Sequence, residues 1–271
     1  MALPLPTSMS PSKVTSFKDC ALAFRLSNID RLPEPPSVAA AKGTLVHRAL
    51  QLLFAEEPPD RRGPEVALSK LERAVPEILD GAEYRGLELS GEERSELVDD
   101  ARSLLDRYYQ LEDPASVRVL GTELRLSVQL GTLRLSGIID RLELGDDGEL
   151  VVTDYKTGRA PSEMSEQARL VGVQFYALLC ERVLGRRPGR IRLLHLREPL
   201  SLTAVPTDQS LRGMQQQTLA IWTAVERACR TEDFRPRPGR LCQWCGYHDL
   251  CPAVGGDLRR LPAARPAGSA A

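Results

Sequence analysis

The chain has 271 residues, 42% of them hydrophobic and 27% charged, which is enough apolar material for one large core or two small ones. Its formal net charge of −1 excludes a global basic signature, so attraction to a nucleic-acid backbone would have to come from local clusters of positive charge. No run approaches the roughly 18 apolar residues of a membrane helix, and MALPLPTSMSPSK lacks a basic segment followed by an apolar run; a cytoplasmic protein is expected.

Ser10-Pro11-Ser12 opens a short helix carrying Val14, Phe17 and Cys20, because serine caps a first turn and proline is tolerated there; LPEPPS then breaks it. Helical periodicity returns from about Val38 to Phe54, and again over about 65–80 and 91–110. After Asp113-Pro114 the period changes to two. Leu120, Leu124, Leu126, Val128 and Leu130 are expected to point one way, and Glu123, Arg125, Ser127 and Gln129 the other; Glu123 either reaches the acidic residues described below or, the favoured reading, lies on a solvated face. Further strands are expected over Leu133–Leu144 and Glu149–Lys156, joined through Asp146-Asp147-Gly148, a three-residue hairpin loop with glycine at the left-handed position. A helix from about Ser165 to Leu184, a strand at Ile191–Leu196 and a helix from about Gln209 to Arg230 complete the order. These parts are expected to form one domain over 1–255: a helical part at about 10–112, a sheet core at about 115–200, and a helix with a cysteine loop at about 208–252. The proline-, alanine- and glycine-rich segment 256–271 is expected to be disordered.

Positive charge comes almost wholly from arginine, since only Lys13, Lys18, Lys42, Lys70 and Lys156 are lysines. The stretch Arg182–Arg197 and the group Arg235, Arg237 and Arg240 are either nucleic-acid contacts or solvated faces.

The hairpin loop also fixes a register. If Gly145 faces Glu149, Asp140 lies opposite Asp154 with side chains about 5 Å apart, and Lys156 falls on the same face two residues on. Like charges across a sheet repel, so two carboxylates and an ammonium in this arrangement suit a divalent cation that activates water and neutralises a phosphoryl oxygen. The alternative is a strand-end aspartate beside an exposed ion pair. GIIDRLEL followed by VVTDYKTG resembles the second and third motifs of the RecB-like PD-(D/E)xK nuclease family, where an aspartate after a glycine-led strand precedes an aspartate-x-lysine-threonine/serine-glycine strand. The resemblance implies an α/β, restriction-endonuclease-like core of helix, three antiparallel strands, helix and strand, with an N-terminal helical insertion. It further implies that Asp140 and Asp154 bind Mg2+ or Mn2+ and that Lys156 is catalytic.

In GTLVHRALQLLF, Gly43 and His47 lie one helical turn apart. Glycine costs about 1 kcal/mol there relative to alanine, and close approach to another backbone would offset that. The G-x-x-x-H spacing resembles the first motif of the family, which implies that His47 completes the metal and catalytic site. The family's later helix carries Q-x-x-x-Y facing the active site and DNA. Here LVGVQFYALLC supplies Tyr176, with Gly172 in place of the glutamine and Gln174 on another side of the helix. Tyr176 is then a site residue or a core aromatic, and the departure bears on DNA contact.

Cys242-x2-Cys245-x5-Cys251 places three thiolates in a short loop, and a metal site needs a fourth ligand. Cys20 is one candidate; His248 is another, giving a three-cysteine, one-histidine zinc site, and spacing alone favours structural zinc. Cys180 and Cys229 read as small hydrophobes within helices. The spacing resembles an iron-sulfur subset of the family, including the nuclease region of AddB and CRISPR-associated RecB-like exonucleases, with one cysteine before the core and three after it. That resemblance implies a [4Fe-4S] cluster on Cys20, Cys242, Cys245 and Cys251, and a C-terminal cysteine-rich clasp on the nuclease core.

The resemblance thus implies a metal-dependent DNA nuclease, a hydrolase acting as an exonuclease on linear or single-stranded DNA in repair or recombination, with a helicase or repair subunit as a further partner. No G-x4-G-K-S/T loop is present, so the chain encodes no ATP site of that kind. The competing readings are a nucleic-acid-binding or assembly subunit that keeps the fold without turnover, which Gly172 favours, and a CRISPR-adaptation nuclease.

Overall fold

The computed structural model describes residues 2–159 and 163–261, with the side chains of 163–171 outside the description. Two compact units share the chain: Met1–Pro35, Leu130–Arg134 and Gln216–Ala271 form the smaller, and Pro36–Gln129 with Leu135–Gln215 the larger.

In the smaller unit, Ser10 caps α1 (Pro11–Asp19) by accepting the Lys13 N–H at 3.3 Å. The chain then passes through extended backbone at Cys20 into α2 (Ala21–Phe24), which runs on through one wide turn over Arg25–Ile29. The interruption at Cys20 thus precedes LPEPPS, the expected breaker.

In the larger unit, α3 (Val38–Glu56) starts at Ser37, which accepts the Ala40 N–H at 3.1 Å, and α4 (Pro64–Leu79) follows. A reciprocal Ser90–Glu93 capping box starts α5 (Gly91–Tyr108). The three helices bury Leu45, Leu50, Leu53, Leu71, Leu105 and Tyr108 in a core shared with Tyr155 and Leu194 of the sheet. The sheet runs in chain order through β1 (Arg118–Leu130), β2 (Leu133–Leu144), β3 (Leu150–Lys156), β4 (Arg190–His195) and β5 (Leu200–Ala204). Strands β3 and β4 are parallel, which requires a crossover, and α6 (Glu163–Leu184) supplies it. A mixed sheet flanked by helices in this order is the restriction-endonuclease-like architecture.

β2 and β3 pair antiparallel with Arg141 opposite Thr153, Leu142 opposite Val152, Glu143 opposite Val151 and Leu144 opposite Leu150. This is the register set by the Asp146–Gly148 loop, in which Gly148 has φ +73°. Strand β5, antiparallel to β4, was not expected. It is five residues long, and only Leu202 and Ala204 are buried, too short an alternation to stand out.

β1 breaks its expected alternation. Val117 and Val119 pack into the helical core while Leu120 is 55% exposed, whereas beyond Glu123 it is Leu126 that is buried. Glu123 itself has φ +48°, in the left-handed region. One residue in that conformation shifts the strand's phase by one, as a bulge does, and sends the two halves of β1 to the sheet in opposite parity.

One sheet face carries a fully buried charged cluster. Arg141 forks onto Glu112, with Nη2 donating at 2.9 Å, reaches Glu143 through Nε at 2.7 Å, and donates from Nη1 to the Tyr155 hydroxyl at 2.9 Å. Its guanidinium also lies 4.5 Å from the centre of the Phe54 ring. From the neighbouring strand, Arg192 meets Glu112 at 2.9 Å.

α7 (Asp208–Thr231) completes the helices, burying Trp222, Val225 and Cys229. In the smaller unit Leu22, Leu26 and Tyr247 form a compact core against Cys20, Cys245, Cys251, Leu250, Leu258 and Leu261. Within the segment expected to be disordered, residues 258–260 form a short turn capped by Asp257, and 262–271 lie outside the described residues. Among the described residues no helix is long and apolar enough to cross a membrane.

Removing one member of a buried ion cluster leaves its partners uncompensated, so Arg141→Ala should lose about 3–5 kcal/mol of stability in urea unfolding. Leu120→Ala, at an exposed position, should stay within about 0.5 kcal/mol of the parent.

Candidate metal and active site

The register places Asp140 and Asp154 one step beyond the last pair recorded for β2 and β3, on the face that also carries Lys156. The Tyr155 N–H donates to Asp140 Oδ2 at 2.7 Å, and the Lys156 ammonium stands 2.5 Å from Asp154 Oδ2. Gly43 performs the role its helix position suggested: a Cβ there would lie 3.1 Å from Thr157 Oγ1, so α3 passes close against the residue following Lys156. One turn later His47 reaches the site. Its Nδ1 lies 3.5 Å from Asp140 Oδ2, and its Nε2 lies 3.1 Å from the Tyr155 carbonyl. A carbonyl only accepts, so Nε2 carries the proton and Nδ1 is the nitrogen turned to the carboxylates.

Glu123 is the residue the sequence reading placed elsewhere. It is half-buried, and its carboxylate, Asp140 and His47 offer three ligand atoms within 4.8 Å of one another, the one such trio among the described residues. The phase shift at Glu123 accounts for this, and the adjacent apolar pair Val119-Leu120, which no unbroken alternation accommodates, was its signal in the sequence. The trio borders an open cleft of about 650 Å³ between α3 and β1, lined by Gly43, Thr44, Arg48, Thr122 and Arg125.

Burial and neighbouring charges act on each carboxylate of the site. Burial pushes the Asp154 carboxyl above its ordinary value, Lys156 opposing and Asp140 reinforcing the shift. Burial also acts on Asp140, but the His47 hydrogen bond and charge and the Tyr155 N–H outweigh it and hold that carboxyl below its ordinary value. Burial disfavours charge on His47, yet Asp140 raises the imidazole above its usual range. Burial and Asp140 raise the Glu123 carboxyl. Two carboxylates and an imidazole nitrogen form a donor set suited to a divalent cation, which would supply the missing positive charge.

Tyr176 belongs with this group. Burial, followed by the charges of Asp154 and Asp140 and a hydrogen bond to Asp154, pushes its hydroxyl far above the usual tyrosine value. Gly137 makes room for it: a Cβ there would meet the Tyr176 ring at 3.3 Å and Leu179 at 2.8 Å. Gln174 faces α7 instead, accepting the Ser210 hydroxyl at 3.0 Å, and a Cβ on Gly172 would meet nothing within 4 Å.

In the smaller unit Cys20, Cys245 and Cys251 pack against the core of Leu22, Leu26 and Tyr247. Burial raises the Cys245 thiol, and the charges of Cys20, Cys251 and Cys242 add to the shift. Backbone N–H groups point at the sulfurs, Arg237 to Cys20 at 3.5 Å and Gly239 to Cys242 at 3.4 Å. His248 Nε2 is engaged with the Cys242 carbonyl. Cys180 and Cys229 are buried as expected, and burial pushes the Cys180 thiol up to about 12.

Fold and site together define a nuclease of the kind that hydrolyses phosphodiesters with divalent metal. The chain belongs to the PD-(D/E)XK nuclease superfamily, the match running over residues 8–252. Among solved structures, a protein of Eubacterium rectale described as a candidate exonuclease superposes with a TM-score of 0.55 at 13% identity, over 96% of this chain and 91% of that one. A second, SSO0001, covers 90% of this chain and 95% of its own at 15% identity, with a TM-score of 0.38. No curated protein matches the sequence.

If Glu123 contributes an oxygen to the cation, Glu123→Gln should weaken Mn2+ binding by at least about tenfold in calorimetric titration of metal-free protein. An unchanged affinity would place Glu123 outside the coordination.

Proposed function

We propose that the chain is a metal-dependent deoxyribonuclease acting from the ends of linear or single-stranded DNA, in the context of DNA repair. The observation that carries this reading is the convergence of Asp140, Asp154 and Lys156 on one sheet face with His47 and Glu123. A divalent cation, Mg2+ or Mn2+, bound by Asp140, Asp154, Glu123 and His47 Nδ1 supplies charge neutralisation at a phosphoryl oxygen and polarisation of water.

The chain's own groups do the rest. The Tyr155 carbonyl keeps His47 in the tautomer whose Nδ1 can bind, and the Tyr155 N–H aims Asp140. The Lys156 side chain is 39% exposed, open enough to meet substrate, and its ammonium donates to the attacking oxygen as negative charge develops there. The attacking water gives up one proton to solvent as its oxygen bonds to phosphorus, the ester P–O bond breaks, and the departing oxygen takes up a proton from solvent. The Tyr176 hydroxyl holds the far side of Asp154.

The cysteine unit is proposed to hold a [4Fe-4S] cluster on Cys20, Cys242, Cys245 and Cys251. A tetrahedral zinc with Zn–S of about 2.3 Å would draw its sulfurs to about 3.8 Å from one another. Four cysteine thiolates are the donor set of a [4Fe-4S] cluster.

Lys156→Ala protein should lose at least about 100-fold in the rate of degrading end-labelled linear DNA in Mg2+ or Mn2+, while still binding it. Cleavage at the parent rate would overturn the assignment. Anaerobically purified protein should be brown and contain iron and acid-labile sulfide, and Cys20→Ser should lose both; colourless protein containing zinc would replace the cluster with a zinc site.

A further inference from the structure

Of the two arginine-rich stretches in the sequence, the first is spent internally. Arg187 pairs with Glu181 at 2.6 Å and Asp208 at 2.7 Å, Arg190 with Glu149, and Arg192 with Glu112 at 2.9 Å. The second behaves differently. Arg235 has an 85% exposed side chain beside Asp233, and among the described residues no ion pair engages Arg240.

Arg240 opens a short 3-10 turn, Arg240–Trp244, that carries Cys242 and leads into Cys245. In such a turn side chains three apart eclipse, so Leu241 and Trp244 stack on one side, with Arg240 and Gln243 eclipsed beside them. Leu241 is 59% exposed, and Trp244 at 77% is the most exposed large hydrophobic residue described. The core of this unit, built on Leu22, Leu26 and Tyr247, does not include either of them. An indole left in water on a turn anchored by two candidate cluster ligands, edged by an arginine and an amide, is a rigid π-face with a cationic rim. That combination recognises an unpaired nucleobase and its phosphate, whereas the bases inside a duplex are stacked on one another and offer the indole no free face.

We propose that the Leu241–Trp244 ledge, with Arg240 at its edge, is a binding site for unpaired nucleotides of a DNA strand, separate from the metal site. The indole stacks on a base, and Arg240 meets the adjoining phosphate. This rests on the reading of the chain as a nuclease only for the identity of the strand.

The test uses the full chain in chelator, so that no strand is cut, and measures anisotropy of a labelled oligothymidine of about 16 nucleotides. Trp244→Ala should weaken binding about tenfold while changing affinity for a blunt duplex less than about twofold; Trp244→Phe, which keeps a stacking face, should recover most of the loss. Arg240→Gln should lower the salt slope of single-strand binding by about 0.7, the contribution of one phosphate contact, and Trp244→Ala should leave the slope unchanged. Unchanged single-strand affinity in Trp244→Ala, or an equal loss on duplex, overturns the proposal. Cleavage by the parent protein in Mn2+ is scored separately. Normal cleavage with Trp244-insensitive binding rejects the ledge alone, whereas Trp244-sensitive binding without cleavage supports the ledge and overturns the nuclease reading.

Discussion

The peptide unit of Tyr155 holds the site together. Its N–H donates to Asp140 at 2.7 Å and its carbonyl receives His47 Nε2 at 3.1 Å, so one residue between Asp154 and Lys156 orients ligand candidates from two other elements. Its neighbours in the chain are themselves site residues, and strand periodicity sends their side chains to the face opposite its own. Any shift of Tyr155 would therefore displace Asp140, His47, Asp154 and Lys156 at once. The other sheet face guards against that shift, because the buried Tyr155 hydroxyl accepts from Arg141, and Glu112 and Glu143 hold Arg141 in turn. Charges removed from water are tolerated only when every lone pair and proton finds a partner. Here the paired charges of the cluster immobilise a tyrosine, and the tyrosine's backbone carries the geometry through the sheet to the metal side.

Crowding carboxylates on that side has a conformational cost as well as an electrostatic one. Glu123 enters the cluster only because the backbone there adopts φ +48°, which for a side-chain-bearing residue costs of order 1–3 kcal/mol. An ordinary strand conformation would return the glutamate to solvent and restore one phase along β1. The protein accepts strain, repulsion and a glycine inside α3 at the same place. A bound divalent cation is the one partner that offsets the repulsion, and it would draw on all three features.

This bears on what the sequence could reveal. The facing of Asp140 and Asp154 was legible because a three-residue loop with glycine at 148 fixes hairpin register locally, and the same parity carries Lys156. The approach of His47 was legible through Gly43, whose missing side chain has a use only where another backbone comes near. Glu123 was not read correctly, since a uniform alternation was extended across a residue where the phase slips; Val119-Leu120 was the local sign of that slip. The Arg141 cluster was illegible for a different reason. Arg141 and Glu143 alternate like any solvated strand face, and only Glu112 from beyond α5 and Arg192 from β4, 29 and 51 residues from Arg141 in the numbering, turn that face into a core. Nonlocal neutralisation leaves no periodic trace.

A net charge of −1 would ordinarily weigh against a protein that handles nucleic acid. The distribution of ion pairs removes the difficulty. In the larger unit arginines are matched by acidic partners, so much of its charge cancels within the fold and adds little to the far field. In the smaller unit Arg235 and Arg240 stand at the surface with one aspartate between them, and the acids that balance the total lie largely elsewhere. Local potential, not the sum, is what a phosphate within a Debye length of about 10 Å encounters. A chain with almost no net charge can therefore present a cationic edge on a short turn of its smaller unit.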